Sequence, residues 1–266
     1  MKKEGHGYVY SPSDLVTYMQ SPFASWMNRF ALEKPEQSPE KDPADSLMSY
    51  LAQKGIEHET AFLESLSSTY TDIITIDNDL SIHQKKKKTL AAMASGAAVI
   101  FQACLEKHKF CGHADFLIKV DAPSKLGDFS YVPWDTKLSK NVKPYFIIQL
   151  CCYADLLEGA QGVMPGSFSV VLGNQEVKPF NTCDYIDFYH AKKQAFLDQQ
   201  RTFDANEMPD PFAYNEHGNW TEFVDAQRIE RDHLSLVANI SRVQISKLNQ
   251  AGIKTVEDLA NTSLAR

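Results

Sequence analysis

At 266 residues with 43% hydrophobic side chains, the chain can bury a full core, which suits one domain of about 200 residues and an appendage. Its 27 Lys and Arg against 34 Asp and Glu leave a net charge of −7, which excludes bulk positive charge as the means of coating nucleic acid but leaves a focused cleft open. No stretch approaches the roughly 18 apolar residues of a membrane span, and MKKEGHGYVYSPSDL lacks the apolar run of a secretory signal, so a soluble, cytoplasmic protein with no membrane partner is expected.

Residues 11 to 32 read as a helix capped by Ser11 or Ser13, with Leu15, Tyr18, Met19, Phe23, Trp26 and Phe30 at helical spacing and a break at Pro22. The proline- and charge-rich EKPEQSPEKDPADS is a loop. Residues 46 to 67 form a second helix whose stripe is Leu47, Tyr50, Leu51, His58, Phe62 and Leu66. A histidine on such a stripe is more often a satisfied core residue than a ligand. IITID (73 to 77) is a short strand, and 84 to 106 is predicted to be a helix with Leu90, Met93, Ala94, Ala97, Ile100, Phe101 and Leu105 inward. The run Lys85 to Lys88 in that helix is read as a solvated face in preference to a phosphate-tracking patch.

Between Gly112 and Tyr153 the chemistry becomes denser. GHADFLIKV and YVPWDTKLSK read as two apolar strands joined by the turn-forming DAPSKLGDFS. One carries Asp115; the other carries Asp135 and, two residues on, Lys137, which must share its face. Buried charges of this kind either pair with each other or hold a metal, and the spacing leaves both open. Two carboxylates on adjacent strands would suit a hard cation such as Mg²⁺ or Mn²⁺, which takes one or two carboxylates and fills its other positions with water and phosphate oxygens. Residues 144 to 158 then form a helix apolar almost all round, hence buried. Gln149 and Tyr153, four apart, share a face of it and need polar partners. A strand pair in GSFSVVLGN and EVKPFN and an amphipathic helix over 184 to 202 complete an order of elements that fits a mixed sheet flanked by helices.

From His233 two short amphipathic helices are joined by LNQAGI, with Thr255 and Asp258 as a capping box. The unit is similar to a helix-hairpin-helix, in which Ala251-Gly252-Ile253 would offer backbone N–H groups to a phosphate, but a plain docking hairpin is equally compatible. The expected division is therefore 1–205 as the main domain, 206–232 as a connection and 233–266 as the hairpin segment. Because the chain stops just past this hairpin, a further downstream domain is expected; in proteins that this arrangement resembles, it is often a helicase or a second nuclease-like domain. Cys104, Cys111, Cys151, Cys152 and Cys183 form no CxxC pair or other metal spacing, and their odd number does not suit a disulfide framework.

The ordered set His58, Asp115, Asp135-Thr136-Lys137, Gln149 and Tyr153 resembles the PD-(D/E)xK nuclease core, specifically the branch related to the RecB exonuclease domain. KGIEHETAFLESL is similar to that branch's histidine-bearing helix, and YSPSDLVTYMQSPFASW to its Ser-x-x-Asp-Leu opening, so the likeness spans roughly residues 10 to 200. The resemblance implies an α/β, restriction-endonuclease-like core with a small C-terminal helical hairpin. It further implies a Mg²⁺- or Mn²⁺-dependent exodeoxyribonuclease acting on single-stranded DNA or DNA ends in repair or recombination. His58, Asp115, Asp135 and the main-chain carbonyl of Thr136 would hold one or two ions, the nitrogen ligand favouring Mn²⁺. Lys137 would orient or deprotonate a water, Gln149 and Tyr153 would position the strand or Lys137, and Lys140, Lys143 and Gly252 would contact nucleic acid. The second acid is Asp where many members have Glu. Some relatives carry an iron–sulfur cluster; here Ser21 stands where they have a cysteine and Met208 to Arg231 contains none, so no cluster is expected and packing through Trp220 and Phe223 should hold that segment. The competing reading is a non-catalytic nucleic-acid-binding or docking module that keeps the nuclease fold; an Asp–His hydrolase finds no nucleophile motif.

Overall fold

The computed structural model describes residues 1–5 and 7–262. A short hairpin, β1 (Lys2–Glu4) and β2 (Gly7–Val9), leads into α1 (Pro12–Gln20) and α2 (Pro22–Glu33). The expected break falls between them: Ser21 caps α2, its hydroxyl accepting from the Ala24 N–H at 3.1 Å, with Pro22 in the first turn where its missing N–H costs nothing. Then follow α3 (Ser46–Ser67), β3 (Ile73–Thr75), α4 (Ile82–Ser95), β4 (Val99–Lys107), β5 (Phe110–Val120), β6 (Ser130–Thr136), α5 (Pro144–Gln161), β7 (Ser167–Val171), β8 (Val177–Asn181) and α6 (Ile186–Arg201). The last helices are α7 (Thr221–Glu230), α8 (Arg242–Gln250) and α9 (Val256–Ala260).

These residues fall into two compact units, Met1–Val16 with Ala44–Asp198, and Thr17–Pro43 with Gln199–Arg266. The partition differs from the boundaries expected at 205 and 232, because residues 17–43 go with the C-terminal part. Packing supplies the reason. Phe23, Ala24, Trp26 and Met27 of α2 form one buried cluster with Trp220 and Val224, onto which Phe223 also packs. Asp42 caps α7, accepting from the N–H groups of Thr221 (2.8 Å) and Glu222 (3.0 Å). In the same unit the Thr255–Asp258 capping box forms, and Gly252 takes a φ of +83° in the turn between α8 and α9. Residues 263–266 of the hairpin segment lie outside the described residues.

The first unit is an α/β arrangement: a mixed six-stranded sheet in the order β3-β4-β5-β6-β7-β8, flanked by helices. β3 runs parallel to β4, β6 parallel to β7, and the other neighbours are antiparallel. Phe62 and Leu66 of α3 join Val99, Phe116, Ile118, Val132 and Val171 in a buried cluster. The near-uniformly apolar α5 is buried as its sequence requires, and Gln161 near its end satisfies the Tyr131 backbone, accepting from its N–H at 2.8 Å and donating to its carbonyl at 3.2 Å. Cys104, Cys151 and Cys152 are buried thiols. No helix among the described residues is long and apolar enough to cross a membrane.

Two expectations are corrected. The helix predicted over 84–106 is instead a helix, a stop and a strand. Gly96 ends α4 in the left-handed region at φ +76°, and the β-branched and aromatic Val99, Ile100 and Phe101 then pair with strands on both sides. Leu90, expected inward, is exposed. In α3 the stripe is buried only at Phe62 and Leu66; Leu47, Tyr50 and Leu51 are exposed because only the C-terminal half of the helix meets the apolar cluster. Two of the four lysines of the run are paired with acids in place. Lys85 is buried near Asn78, Lys86 pairs with Glu106, and Lys88 pairs with Asp77 at 2.6 Å.

Candidate functional site

The antiparallel register of β5 and β6 sets Phe116 against Trp134, which brings Asp115, midway along β5, beside Asp135 near the end of β6. Thr136 binds the first acid from the second strand: its N–H and its hydroxyl donate to Asp115 Oδ2 at 2.7 and 2.8 Å. Asp135, 1% exposed, forms an ion pair with Lys137, as residues two apart on one strand face should. The Lys137 ammonium also lies 5.5 Å from the centre of the Phe146 ring of α5.

The reach of Lys137 is set by backbone. Its N–H donates to the Val171 carbonyl at 2.8 Å, and the Gly173 N–H donates to the Ser139 carbonyl at 3.0 Å, so the exits of β6 and β7 stay laced together. A Cβ at Gly173 would collide with the Leu138 carbonyl. The position therefore demands glycine for close approach.

From α3, His58 and Glu59 complete the lining of a cleft of about 250 Å³ that also includes Asp115, Asp135, Thr136, Lys137 and Gln149. Six of the residues singled out in sequence are thus brought to one place. Tyr153 lies beside it: it accepts from Gln149 Nε2 at 3.1 Å and, with Gln149, lines a neighbouring pocket of about 390 Å³. Lys140 and Lys143 are exposed on the segment leading into α5, and Lys143 lies 5.7 Å from the Tyr145 ring centre. Gly252 belongs to the second unit.

Electrostatically the cleft is dominated by crowded acids. Burial, reinforced by Asp135 and Glu59, pushes the Asp115 carboxyl well above the usual carboxylate range. Burial also raises Glu59, against the pull of its hydrogen bond from Gln102 and with Asp135 adding to the rise. For Lys137, burial opposes the charge, but Asp135 and Asp115 outweigh it and hold the ammonium pKa above its ordinary value. Glu59 went unnoticed in the sequence, since the acid next to a candidate histidine on a helix has no spacing signal of its own. Only the fold sets it beside the strand carboxylates.

Several buried polar atoms here lack hydrogen-bond partners: His58 Nε2 and both Asp135 carboxylate oxygens, of which Oδ2 has only the ion pair with Lys137. Buried carboxylate oxygens and an imidazole nitrogen left in this state are costly unless a further ligand satisfies them. Among the described residues no three His, Cys, Asp or Glu side chains converge tightly enough to enclose a metal by themselves. Such a donor set fits a hard divalent cation that keeps several of its own waters rather than a closed protein cage. The fold and cleft define an α/β protein in which lysine and carboxylate side chains gather where the end of β6 lies beside the middle of β5. The chain matches no protein-family model and no curated protein.

Proposed function

We propose that the chain is a metal-dependent nuclease of the RecB-like PD-(D/E)xK type, with a restriction-endonuclease-like core, that hydrolyses phosphodiester bonds of DNA. The observation that carries this is the meeting of His58, Asp115, Asp135, Lys137 and Gln149 in one cleft with His58 Nε2 and Asp135 Oδ1 unsatisfied. His58, Asp115 and Asp135 would hold Mg²⁺ or Mn²⁺. When bound, such a cation lowers the pKa of a coordinated water and offsets charge building on the scissile phosphate. Lys137, kept protonated by its two aspartates, orients the attacking water through its N–H donors and places positive charge against the phosphate oxygens. Thr136 holds Asp115 in register with both of its donors. Gln149, tied to Tyr153, presents the rest of its amide to the cleft and so positions the strand.

A second reading, a nucleic-acid-binding or docking module without activity, is favoured by the lack of a three-ligand cage among the described residues. The two separate in one assay: end-labelled linear and circular single-stranded DNA with Mn²⁺, Mg²⁺ or EDTA, beside Asp135→Ala. Cleavage that needs metal and falls at least about 10³-fold in the variant is expected. Retention of DNA without cutting in any condition would leave the binding module.

A further inference from the structure

Among the described residues, five other than glycine have positive φ: Gln102, His108, Gln175, Asp232 and Asn239. Four of them lie in turns or connections, where the left-handed region is common. Gln102, at φ 59°, is inside a strand, β4. An L-residue in this conformation places its Cβ against the following carbonyl, and it persists only where the surroundings over-determine it. The register shows what lies opposite. Phe101 pairs with Phe116 and Ala103 with Ala114, so the twisted position faces Asp115 on β5. Its side chain is committed as well: Gln102 Nε2 donates to Glu59 Oε1 of α3.

A glutamine with strained backbone, opposite one site carboxylate and hydrogen-bonded to another, points to more than strand formation. We propose that Gln102 is a positioning residue for the metal cleft: its left-handed backbone aims the side-chain amide at Glu59 and fixes that carboxylate beside Asp115 and Asp135. Glu59 in this role holds waters of a hydrated cation, which a site with few direct protein ligands requires. Without the amide, Glu59 is free to swing out to solvent along α3. The proposal rests on the metal-nuclease reading above.

Gln102→Gly provides the test, because glycine accepts the same φ without strain while losing the amide. The readouts are Mn²⁺ affinity by titration calorimetry on the full chain and thermal stability in EDTA. Gln102→Gly should be as stable as the wild type or more so, yet bind Mn²⁺ about 10- to 100-fold more weakly, the loss typical of an outer-shell partner. Glu59→Gln, which leaves the backbone alone, should show the same loss, and the double variant little more than either single one. Reduced stability with unchanged Mn²⁺ affinity in Gln102→Gly, or unchanged affinity in Glu59→Gln, would overturn the positioning role. If the wild type binds Mn²⁺ and Asp135→Ala does not, that failure is confined to Gln102 and Glu59. If the wild type binds no Mn²⁺, the metal reading falls and the proposal falls with it.

Discussion

The first unit buries two aspartates next to lysines, and the contrast between them separates structure from chemistry. Asp155 of α5 is 3% exposed and fully answered: Lys107 donates to Oδ1 at 2.7 Å, while Lys193 and the Tyr189 hydroxyl (2.8 Å) donate to Oδ2. Burial alone would raise its pKa, but these partners overturn that and hold it at about 2. Asp135 is equally buried, yet has one ion pair and no hydrogen bond, beside a second acid whose protonation is favoured. A buried carboxylate answered by several donors ties elements together; one left short of them, beside a second acid, is the pattern on which the proposed function rests.

Removing each partner set should sharpen the difference. Asp155→Ala leaves Lys193 and the Tyr189 hydroxyl without their acceptor, while Lys107 keeps its pair with Glu158, and a stability loss of about 3 kcal/mol is expected by urea unfolding. Metal-dependent cleavage per folded molecule should not change. If Asp155→Ala instead left stability intact and removed cleavage, the assignment of the two aspartates would be reversed.

Acid titration gives the next largest effect. The folded pKa of Asp155 lies below its ordinary 3.8, so its contribution is complete above that value and is lost as pH falls toward 2. That amounts to about 2 kcal/mol, and the loss should be missing in Asp155→Asn. Asp115 has the opposite sign. Its folded pKa is raised, so its contribution is complete in acid and is lost as pH rises through the folded value. In EDTA at neutral pH, Asp115→Asn should therefore be more stable than the wild type, the smallest of these changes. A decrease would show that Asp115 is paired as Asp155 is.

Much of this was legible in the sequence where one physical rule acted alone. The α1–α2 break followed from Pro22, the burial of α5 from its uniform apolarity, and the shared face of Asp135 and Lys137 from strand periodicity. The helix predicted over 84–106 failed because an apolar run such as VIFQACL satisfies helical spacing and strand propensity together, and Gly96 decided between them. The α3 stripe failed at Leu47, Tyr50 and Leu51 because periodicity identifies a face but not how far along it a partner extends. Glu59 and Gln102 were invisible for another reason. One depends on the crossing of a helix over a sheet, the other on a single backbone torsion.

Gly173 has no functional group, yet it acts as the gauge of the cleft. The distance between the ends of β6 and β7 is fixed by how closely Gly173 and the Leu138 carbonyl can approach, and Lys137 projects from the strand so held. A single methyl group added there would leave every acid, lysine and histidine of the cleft in the sequence and still alter the spacing at which they meet. The cleft can therefore change with its set of chemical groups complete, through a change in the ruler that spaces them.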